Sequence, residues 1–193
     1  MTVSLKIAIA GVAGRMGQQL ATAALEAGHT LVGGTEAPGS EKIGQDIGEV
    51  LGRGAIGVTA VEDVAEAAGD ADVWIDFTRP EATLAAVNAL SGTGVKAVII
   101  GTTGFDAAGE AAITEAAGNL SIVKAGNFSL GVNLLCSLVE RAARSLGEDW
   151  DIEVLETHHR RKVDAPSGTA LMLGDAAAAG RDADLKALRA GPY

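Results

Sequence analysis

Cysteine, metal-ligand spacings and long apolar runs are scarce in this sequence, and each absence excludes a class of protein. Cys136 is the single cysteine among 193 residues, so no disulfide forms within the chain, and no Cys/His spacing resembles a metal site. No apolar run approaches the roughly 20 residues that cross a bilayer. We expect a cytoplasmic protein without a metal or a membrane partner, in which Cys136 is a buried core thiol.

Basic residues are also few, since 15 Lys and Arg against 25 Asp and Glu leave a net charge of −10 at pH 7. Binding to a nucleic-acid backbone depends on Lys and Arg that displace counterions, so nucleic acid is not an expected partner. Aromatic residues make up 3% of the chain, whereas hydrophobic residues make up 48% and glycines number 26. This composition predicts a folded protein with small core side chains and many tight turns.

Short apolar runs alternate with helical patterns along the chain. The predicted strands are residues 5–10, 30–34, 58–61, 72–77, 95–100 and 120–124. The predicted helices are residues 15–27, 62–68, 80–90, 107–117 and 130–146. Because such strands are joined by right-handed crossovers, the predicted fold class is α/β, with an N-terminal Rossmann-type doubly wound parallel sheet whose ligands bind at the carboxyl ends of the strands.

Three local patterns predict how helices begin, end and pack. The capping-box spacing of Thr78 and Glu81, with Pro80 between them, predicts the start of a helix. Gly28 is predicted to end the preceding helix, residues 15–27, as a left-handed cap. The apolar face predicted for that helix consists of Met16, Leu20, Ala23, Ala24 and Ala27.

The pattern changes after the last long helix, where Asp151 to Thr157 alternates in character, as a strand with one solvated face does. We place a domain boundary near Phe128. A dinucleotide-binding domain then occupies residues 1–128, and a partial substrate-binding domain occupies residues 129–193. The second domain is expected to be an incomplete α+β domain, because roughly 65 residues are few for a fully covered sheet.

A glycine-rich loop follows the first predicted strand and reads Gly11-Val12-Ala13-Gly14-Arg15-Met16-Gly17. The spacing G-x-x-G-x-x-G is weak by itself, but here it leaves a strand and enters a helix. Backbone N–H groups and the positive helix end would then face a pyrophosphate. Glu36 follows Gly17 by 19 residues, about where an acidic residue hydrogen-bonds an adenosine ribose. A tight turn that binds nothing is the alternative.

The residue type at position 36 bears on the choice between NADH and NADPH. A carboxylate repels the 2′-phosphate of NADP, and Ala37 offers no compensating charge. NAD is therefore expected to bind readily. Arg15 can still reach a 2′-phosphate, so use of both cofactors stays open.

A basic segment stands out in this acidic chain. Three consecutive basic residues, 160–162, follow His158 and His159. Concentrated positive charge suits a small, multiply charged anion. Residues 166–169 (Pro-Ser-Gly-Thr) then open a helix, whose free N–H groups and hydroxyls suit a carboxylate. The alternative is a solvated basic turn followed by an ordinary helix cap.

Five blocks of sequence, taken together, carry a family resemblance. They are residues 11–17 (GVAGRMG), 76–78 (DFT), 101–105 (GTTGF), 125–129 (AGNFS) and 156–170 (ETHHRRKVDAPSGTA). With these five blocks in this order, the chain resembles the 4-hydroxy-tetrahydrodipicolinate reductase family, formerly called dihydrodipicolinate reductase. The resemblance implies NAD(P)H-dependent reduction of 4-hydroxy-tetrahydrodipicolinate to tetrahydrodipicolinate, in the diaminopimelate pathway of lysine biosynthesis.

The resemblance also implies roles for individual residues. His158 is the implied acid/base and Lys162 a proton donor, and together they form the catalytic pair. The residues implied to bind the substrate carboxylates are His159, Gly168 and Thr169. The residues implied to bind the cofactor are Gly11, Val12, Ala13, Gly14, Arg15, Met16, Glu36, Gly101, Thr102, Thr103, Ala125, Gly126, Asn127 and Phe128.

Members of this family continue past the region that matches, so the resemblance implies a chain truncated at its C-terminus. It also implies a small dicarboxylate substrate, and a homotetramer when the full-length chain is present. Two other functions stay open. One is another Rossmann-fold dehydrogenase that acts on a small dicarboxylate, and the other is a non-catalytic fragment that binds NADH without turnover.

Overall fold

The structure is a computed structural model that describes residues 3–147, 149–158, 160 and 165–188. The chain divides into two compact units, with the boundary between Ala125 and Gly126. The first unit is a layered α/β structure. The described part of the second unit consists of helices and irregular segments.

A six-stranded parallel sheet forms the centre of the first unit. Its strands are β1 (Lys6–Ile9), β2 (Thr30–Thr35), β3 (Ala60–Val61), β4 (Val73–Asp76), β5 (Ala97–Ile100) and β6 (Ser121–Lys124). Its helices are α1 (Arg15–Glu26), α2 (Ile47–Val50), α3 (Val64–Ala68), α4 (Pro80–Leu90) and α5 (Ala107–Ala116). The strand order is β3-β2-β1-β4-β5-β6, with parallel neighbours throughout. This is the doubly wound Rossmann order, which confirms the predicted fold class.

The two faces of the sheet carry separate hydrophobic cores, because successive residues of a strand point to opposite faces. Ile7 and Ile9 of β1 pack with α1 on one face. Ala8 and the fully buried Trp74 pack with α3, α4 and α5 on the other. A parallel sheet covered on both faces explains why its strands read as continuous apolar runs.

Helix α1 buries a face that only partly matches the one predicted, since Ala24 is buried and Leu20 packs against the core. Its buried residues are Gly17, Ala21 and Ala24. The prediction is wrong for three residues that are exposed: Met16, Ala23 and Ala27. The reason is a close approach, since a Cβ atom at position 17 would lie 2.1 Å from the carbonyl oxygen of Gly11. The packing face therefore centres on a glycine, which an apolar pattern does not count.

The end of α1 has the predicted left-handed glycine. Gly28 has φ 81°. Its N–H donates to the Leu25 carbonyl at 3.1 Å, and the N–H of His29 donates to the Ala24 carbonyl at 3.0 Å. These two bonds form a Schellman motif, which satisfies the last carbonyl groups of the helix.

The start of α4 is only partly as predicted. Pro80 is its first residue, which confirms the early-turn proline. The capping box is wrong, because Arg79 is the cap residue and no side chain caps this helix end. The Thr78 hydroxyl donates instead to Oδ1 of Asp76 at 2.6 Å. The Thr78 side chain, which the capping-box spacing assigned to the helix end, therefore bonds the buried carboxylate of Asp76 instead.

The described part of the second unit contains α6 (Leu130–Ser145), α7 (Gly168–Gly180) and α8 (Leu185–Leu188). Helices α6 and α7 pack closely, since a Cβ atom at Gly180 would lie 2.3 Å from the Glu140 carbonyl oxygen. Residues 151–158 are irregular, so the predicted strand at Asp151–Thr157 is wrong. A strand needs a hydrogen-bonded neighbour, and the described residues of this unit supply none.

Three sequence expectations concern burial, membranes and metals. Cys136 on α6 is partly exposed, so its predicted full burial is wrong. Among the described helices, none combines the length and the apolar character that a membrane span requires. The described His, Cys, Asp and Glu side chains form no group of three that could hold a metal ion.

Gly17→Ala is expected to destabilise the first unit by about 1–3 kcal/mol, the usual cost of overpacking. The added Cβ atom would meet backbone atoms of the glycine-rich loop, which have little freedom to move. Urea unfolding followed by circular dichroism measures the difference. Gly94→Ala is the matched control, because a Cβ atom there has nothing within 4 Å. Equal losses in the two variants would contradict the prediction.

Candidate functional site

The glycine-rich loop, residues 11–17, connects the carboxyl end of β1 to α1. Val12 is 1% exposed, so its side chain belongs to the core and it offers a ligand only its backbone. Gly14 is the cap residue of α1, and no side chain caps this helix end. The first N–H groups of α1 therefore present the arrangement that accepts phosphate oxygens at a helix N-terminus.

Glu36 directly follows β2 and reaches the glycine-rich loop. Its Oε1 accepts a hydrogen bond from the backbone N–H of Ala13 at 2.7 Å. Its Oε2 accepts one from the Ser40 hydroxyl at 3.3 Å. These bonds hold a half-buried carboxylate beside the loop, where Rossmann domains bind a ribose. The structure thus brings together Glu36 and the loop, which the sequence analysis assigned to one ligand.

In the loop after β5, the side chains of the predicted cofactor residues point in different directions. Thr103 is exposed, whereas Thr102 is 4% exposed and its hydroxyl lies 3.2 Å from Oδ1 of Asp76. Gly101 lies against the ring of Phe77, since a Cβ atom on Gly101 would be 2.1 Å from Cε1 of that ring. Thr102 can therefore serve a ligand only through its backbone.

The segment after β6 contains the remaining predicted cofactor residues. The N–H of Ala125 donates to the Ile100 carbonyl at 3.1 Å. In the second unit, Nδ2 of Asn127 donates to the Thr169 hydroxyl oxygen at 3.2 Å. This bond links a residue predicted for the cofactor to one predicted for the substrate. Phe128 is 44% exposed, and Gly126 packs on the Met172 side chain.

The predicted acid/base, His158, is held by a carboxylate to which the sequence analysis gave no role. Nε2 of His158 lies 2.7 Å from Oε2 of Glu156. Oε1 of Glu156 accepts the backbone N–H of Ser167 at 2.8 Å, and the Ser167 hydroxyl donates to Oε2. The hydrogen bonds from His158 and Ser167 lower the pKa of Glu156 to about 2, so Glu156 is charged at neutral pH.

Ser167 connects this pair to the start of α7. It is the cap residue, and its hydroxyl oxygen accepts the N–H of Ala170 at 3.0 Å. Gly168 and Thr169, both predicted to bind substrate, are the first two residues of the helix. His159 and Lys162 lie outside the described residues.

A signal for Glu156 was present in the sequence. Glu156 and His158 are two residues apart, and alternate residues of an extended segment point to the same side. An acidic residue at that spacing from a histidine therefore predicts a hydrogen-bonded pair. No comparable local signal marks Ser167, because its bond to Glu156 joins residues eleven positions apart.

A Rossmann sheet with this loop and an acidic residue after β2, followed by a unit that holds a carboxylate-bound histidine, is typical of NAD(P)H-dependent oxidoreductases. The family model for the N-terminus of dihydrodipicolinate reductase matches residues 5–128, and the model for its C-terminus matches residues 131–191. The chain belongs to the dihydrodipicolinate reductase family. This family consists of oxidoreductases of lysine biosynthesis.

Solved structures that are similar to this chain include a dihydrodipicolinate reductase and an amine dehydrogenase. The dipicolinate-bound dihydrodipicolinate reductase from Paenisporosarcina sp. TG-14 is 26% identical, with a TM-score of 0.72. The match covers 93% of this chain and 67% of that one. The amine dehydrogenase from Mycobacterium smegmatis is 25% identical, with a TM-score of 0.45, over 52% of this chain and 30% of that one.

Glu156 is expected to make the stability of the second unit depend on pH. Its folded-state pKa of about 2 lies below the ordinary value of 4.5. Its stabilising contribution is therefore complete above pH 4.5 and is lost as the pH falls towards 2. Glu156→Gln should lower the free energy of unfolding near neutral pH, with a difference from the unaltered chain that shrinks over this range.

Urea unfolding at several pH values measures that difference. Glu153→Gln is the matched control, because Glu153 is an exposed glutamate of the same segment. A loss that is constant with pH in Glu156→Gln, or equal in the two variants, would show that the Glu156 carboxylate does not supply the stabilisation.

Proposed function

We propose that this chain reduces 4-hydroxy-tetrahydrodipicolinate to tetrahydrodipicolinate, using a hydride from NADH or NADPH and a proton from His158. The reaction belongs to the diaminopimelate pathway of lysine biosynthesis. The observation that carries the proposal is the bond between His158 and Glu156, whose carboxylate also binds Ser167 at the start of α7. This contact supports the proposal because it connects His158, through Glu156, to Ser167 at the start of α7.

The proposed dinucleotide-binding domain is residues 1–128, and residues 129–193 form the partial substrate-binding domain. NADH or NADPH, when bound, supplies the hydride. The N–H groups at the start of α1 bind the pyrophosphate, and Glu36 accepts hydrogen bonds from the adenosine ribose. The uncapped start of α1 and the Ala13–Glu36 bond support this fit. The other cofactor contacts of the first unit come from Gly101, Thr103 and Ala125, and contacts from Gly126, Asn127 and Phe128 remain predictions.

The proposed substrate is a small dicarboxylate, a class to which the dipicolinate of the Paenisporosarcina structure also belongs. One carboxylate binds the N–H groups of Gly168 and Thr169 at the start of α7, a position that favours negative charge. His159 contributes a further contact. The basic residues 160–162 attract such a dianion in a chain whose net charge is −10.

The proton comes from His158 in this proposal. The 4-hydroxyl group first leaves as water, which gives a conjugated imine. Hydride addition to this imine leaves an electron-rich enamine, which must take up a proton from a nearby donor. Imidazole suits this step because its charge changes near neutral pH. Glu156 fixes the orientation of the ring through Nε2, and Lys162 is the second proton donor.

A cytoplasmic location and a homotetramer of the full-length chain remain predictions.

The KM for NADH is expected to be lower than the KM for NADPH by about fivefold, from a charge repulsion on the order of 1 kcal/mol. The Ala13 N–H holds the Glu36 carboxylate beside the loop, so that it cannot turn away from a 2′-phosphate. Initial-rate kinetics with both cofactors measure the ratio, and Glu36→Gln should reduce it. A clear preference of the unaltered chain for NADPH would contradict the prediction.

His158→Ala is expected to lower kcat by roughly 10²- to 10⁴-fold, the usual contribution of a general acid. NADH affinity should change little, because the glycine-rich loop is untouched. A reductase assay and an NADH fluorescence titration on the same sample measure the two effects. His29→Ala, which removes a histidine of the first unit, is the control. Full activity of His158→Ala would exclude His158 as the proton donor. NADH binding without turnover in the unaltered chain would favour the alternative hypothesis of a non-catalytic fragment.

A further inference from the structure

A buried polar cluster lies at the carboxyl end of β4, and no role in binding or catalysis has been given to three of its members. Asp76 is 1% exposed and Thr83 of α4 is fully buried. The cluster also contains Thr78 and the inward-facing Thr102. We call these four residues the Asp76 cluster. Its members come from β4, the loop after β4, α4 and the loop after β5.

Oδ1 of Asp76 is the centre of this cluster. It lies 2.6 Å from Oγ1 of Thr78, 2.9 Å from Oγ1 of Thr83 and 3.2 Å from Oγ1 of Thr102. The backbone N–H of Thr78 donates to it at 3.0 Å and to the Thr102 hydroxyl oxygen at 2.9 Å. The hydroxyls of Thr83 and Thr102 are 2.9 Å apart. One oxygen atom thus ties two loops to a helix.

Packing alone does not explain these polar residues. The surrounding core consists of apolar side chains, among them Val87, Val98 and Ile100. Buried polar groups are costly unless their hydrogen bonds are complete, and Oδ2 of Asp76 has no hydrogen-bond partner among the described residues. Apolar residues of similar size would avoid that cost. The cluster therefore holds a particular loop geometry at the expense of stability.

The position of the Asp76 cluster in the sheet indicates which ligand the loops after β4 and β5 are held to bind. In a doubly wound sheet the dinucleotide lies at the carboxyl ends of the strands, across the point where the strand order reverses. Here β1 and β4 are neighbours at that point. The methyl group of Thr78 lies beside the glycine-rich loop, since a Cβ atom on Gly11 would be 3.1 Å from it. The loops after β4 and β5 then border the half of the site that receives the nicotinamide.

We infer that Asp76 and Thr83 are positioning residues for the nicotinamide half of the cofactor, acting through Thr78 and Thr102 on the loops after β4 and β5. The inference rests on the proposed use of NADH or NADPH. Neither residue touches the cofactor. Removal of the Thr83 hydroxyl leaves the Asp76 carboxylate and the Thr102 hydroxyl with one partner fewer, and the cluster loses its hydrogen bonds to α4.

Thr83→Val tests this inference, because it keeps the shape of the side chain and removes the hydroxyl. We expect the Kd for NADH to rise by about tenfold, the equivalent of one buried hydrogen bond. The Kd for ADP-ribose, which lacks the nicotinamide, should stay within about twofold. Fluorescence titration and calorimetry measure the two constants without any substrate. Thr83→Ser keeps the hydroxyl and should restore NADH affinity.

Val87→Ala is the matched control for stability, since Val87 lies on the same helix, is 4% exposed and belongs to the same core. It should lower the melting temperature without changing the ratio of the two Kd values. Asp76→Asn should change that ratio in the same direction as Thr83→Val. Equal weakening of NADH and ADP-ribose in Thr83→Val, or no weakening of either, would overturn the inference alone. Failure of the unaltered chain to bind NADH would overturn the proposed function with it.

Discussion

The first turn of α1 packs closely against the loop that follows β1, because Gly17 has no side chain. Its backbone approaches the carbonyl oxygen of Gly11 so closely that a Cβ atom would lie 2.1 Å away. This approach turns the first N–H groups of α1 towards the carboxyl edge of the sheet. It also sets the loop beside Glu36, whose carboxylate accepts the Ala13 N–H. The candidate pyrophosphate and ribose contacts therefore depend on one close packing of backbone on backbone.

Three carboxylates then organise the loops of this acidic chain, each by accepting hydrogen bonds from residues distant in sequence. Glu36 binds the glycine-rich loop, Asp76 ties the loops after β4 and β5 to α4, and Glu156 joins His158 to the start of α7. Each lies where a cofactor or substrate contact is proposed. Acidic residues thus do more here than set the net charge, because hydrogen bonds to a charged acceptor are stronger than those between neutral groups.

The elements that could be predicted from sequence are those with a local physical cause. The six strands are apolar runs ended by turn residues, Pro80 starts a helix because its fixed φ suits the first turn, and Gly28 ends one because it tolerates a positive φ. The failures have causes that an apolar pattern does not record: a close backbone approach, a competing hydrogen-bond acceptor and a missing strand neighbour. The packing face predicted for α1 left out Gly17. The Thr78 side chain bonds a buried carboxylate instead of capping α4. The segment Asp151–Thr157 has no neighbouring strand among the described residues.

The sequence by itself determined the order of the six strands, the Rossmann fold class and the loops that carry the candidate site, because periodicity and turn chemistry act within a few residues. Its motif blocks indicated the family. Only the tertiary structure decided which way neighbouring side chains point. Thr102 faces inward and Thr103 outward, although both follow β5. Their directions depend on Asp76, which is 26 positions from Thr102, and the spacing of such a pair along the chain carries no signal of their contact in the fold.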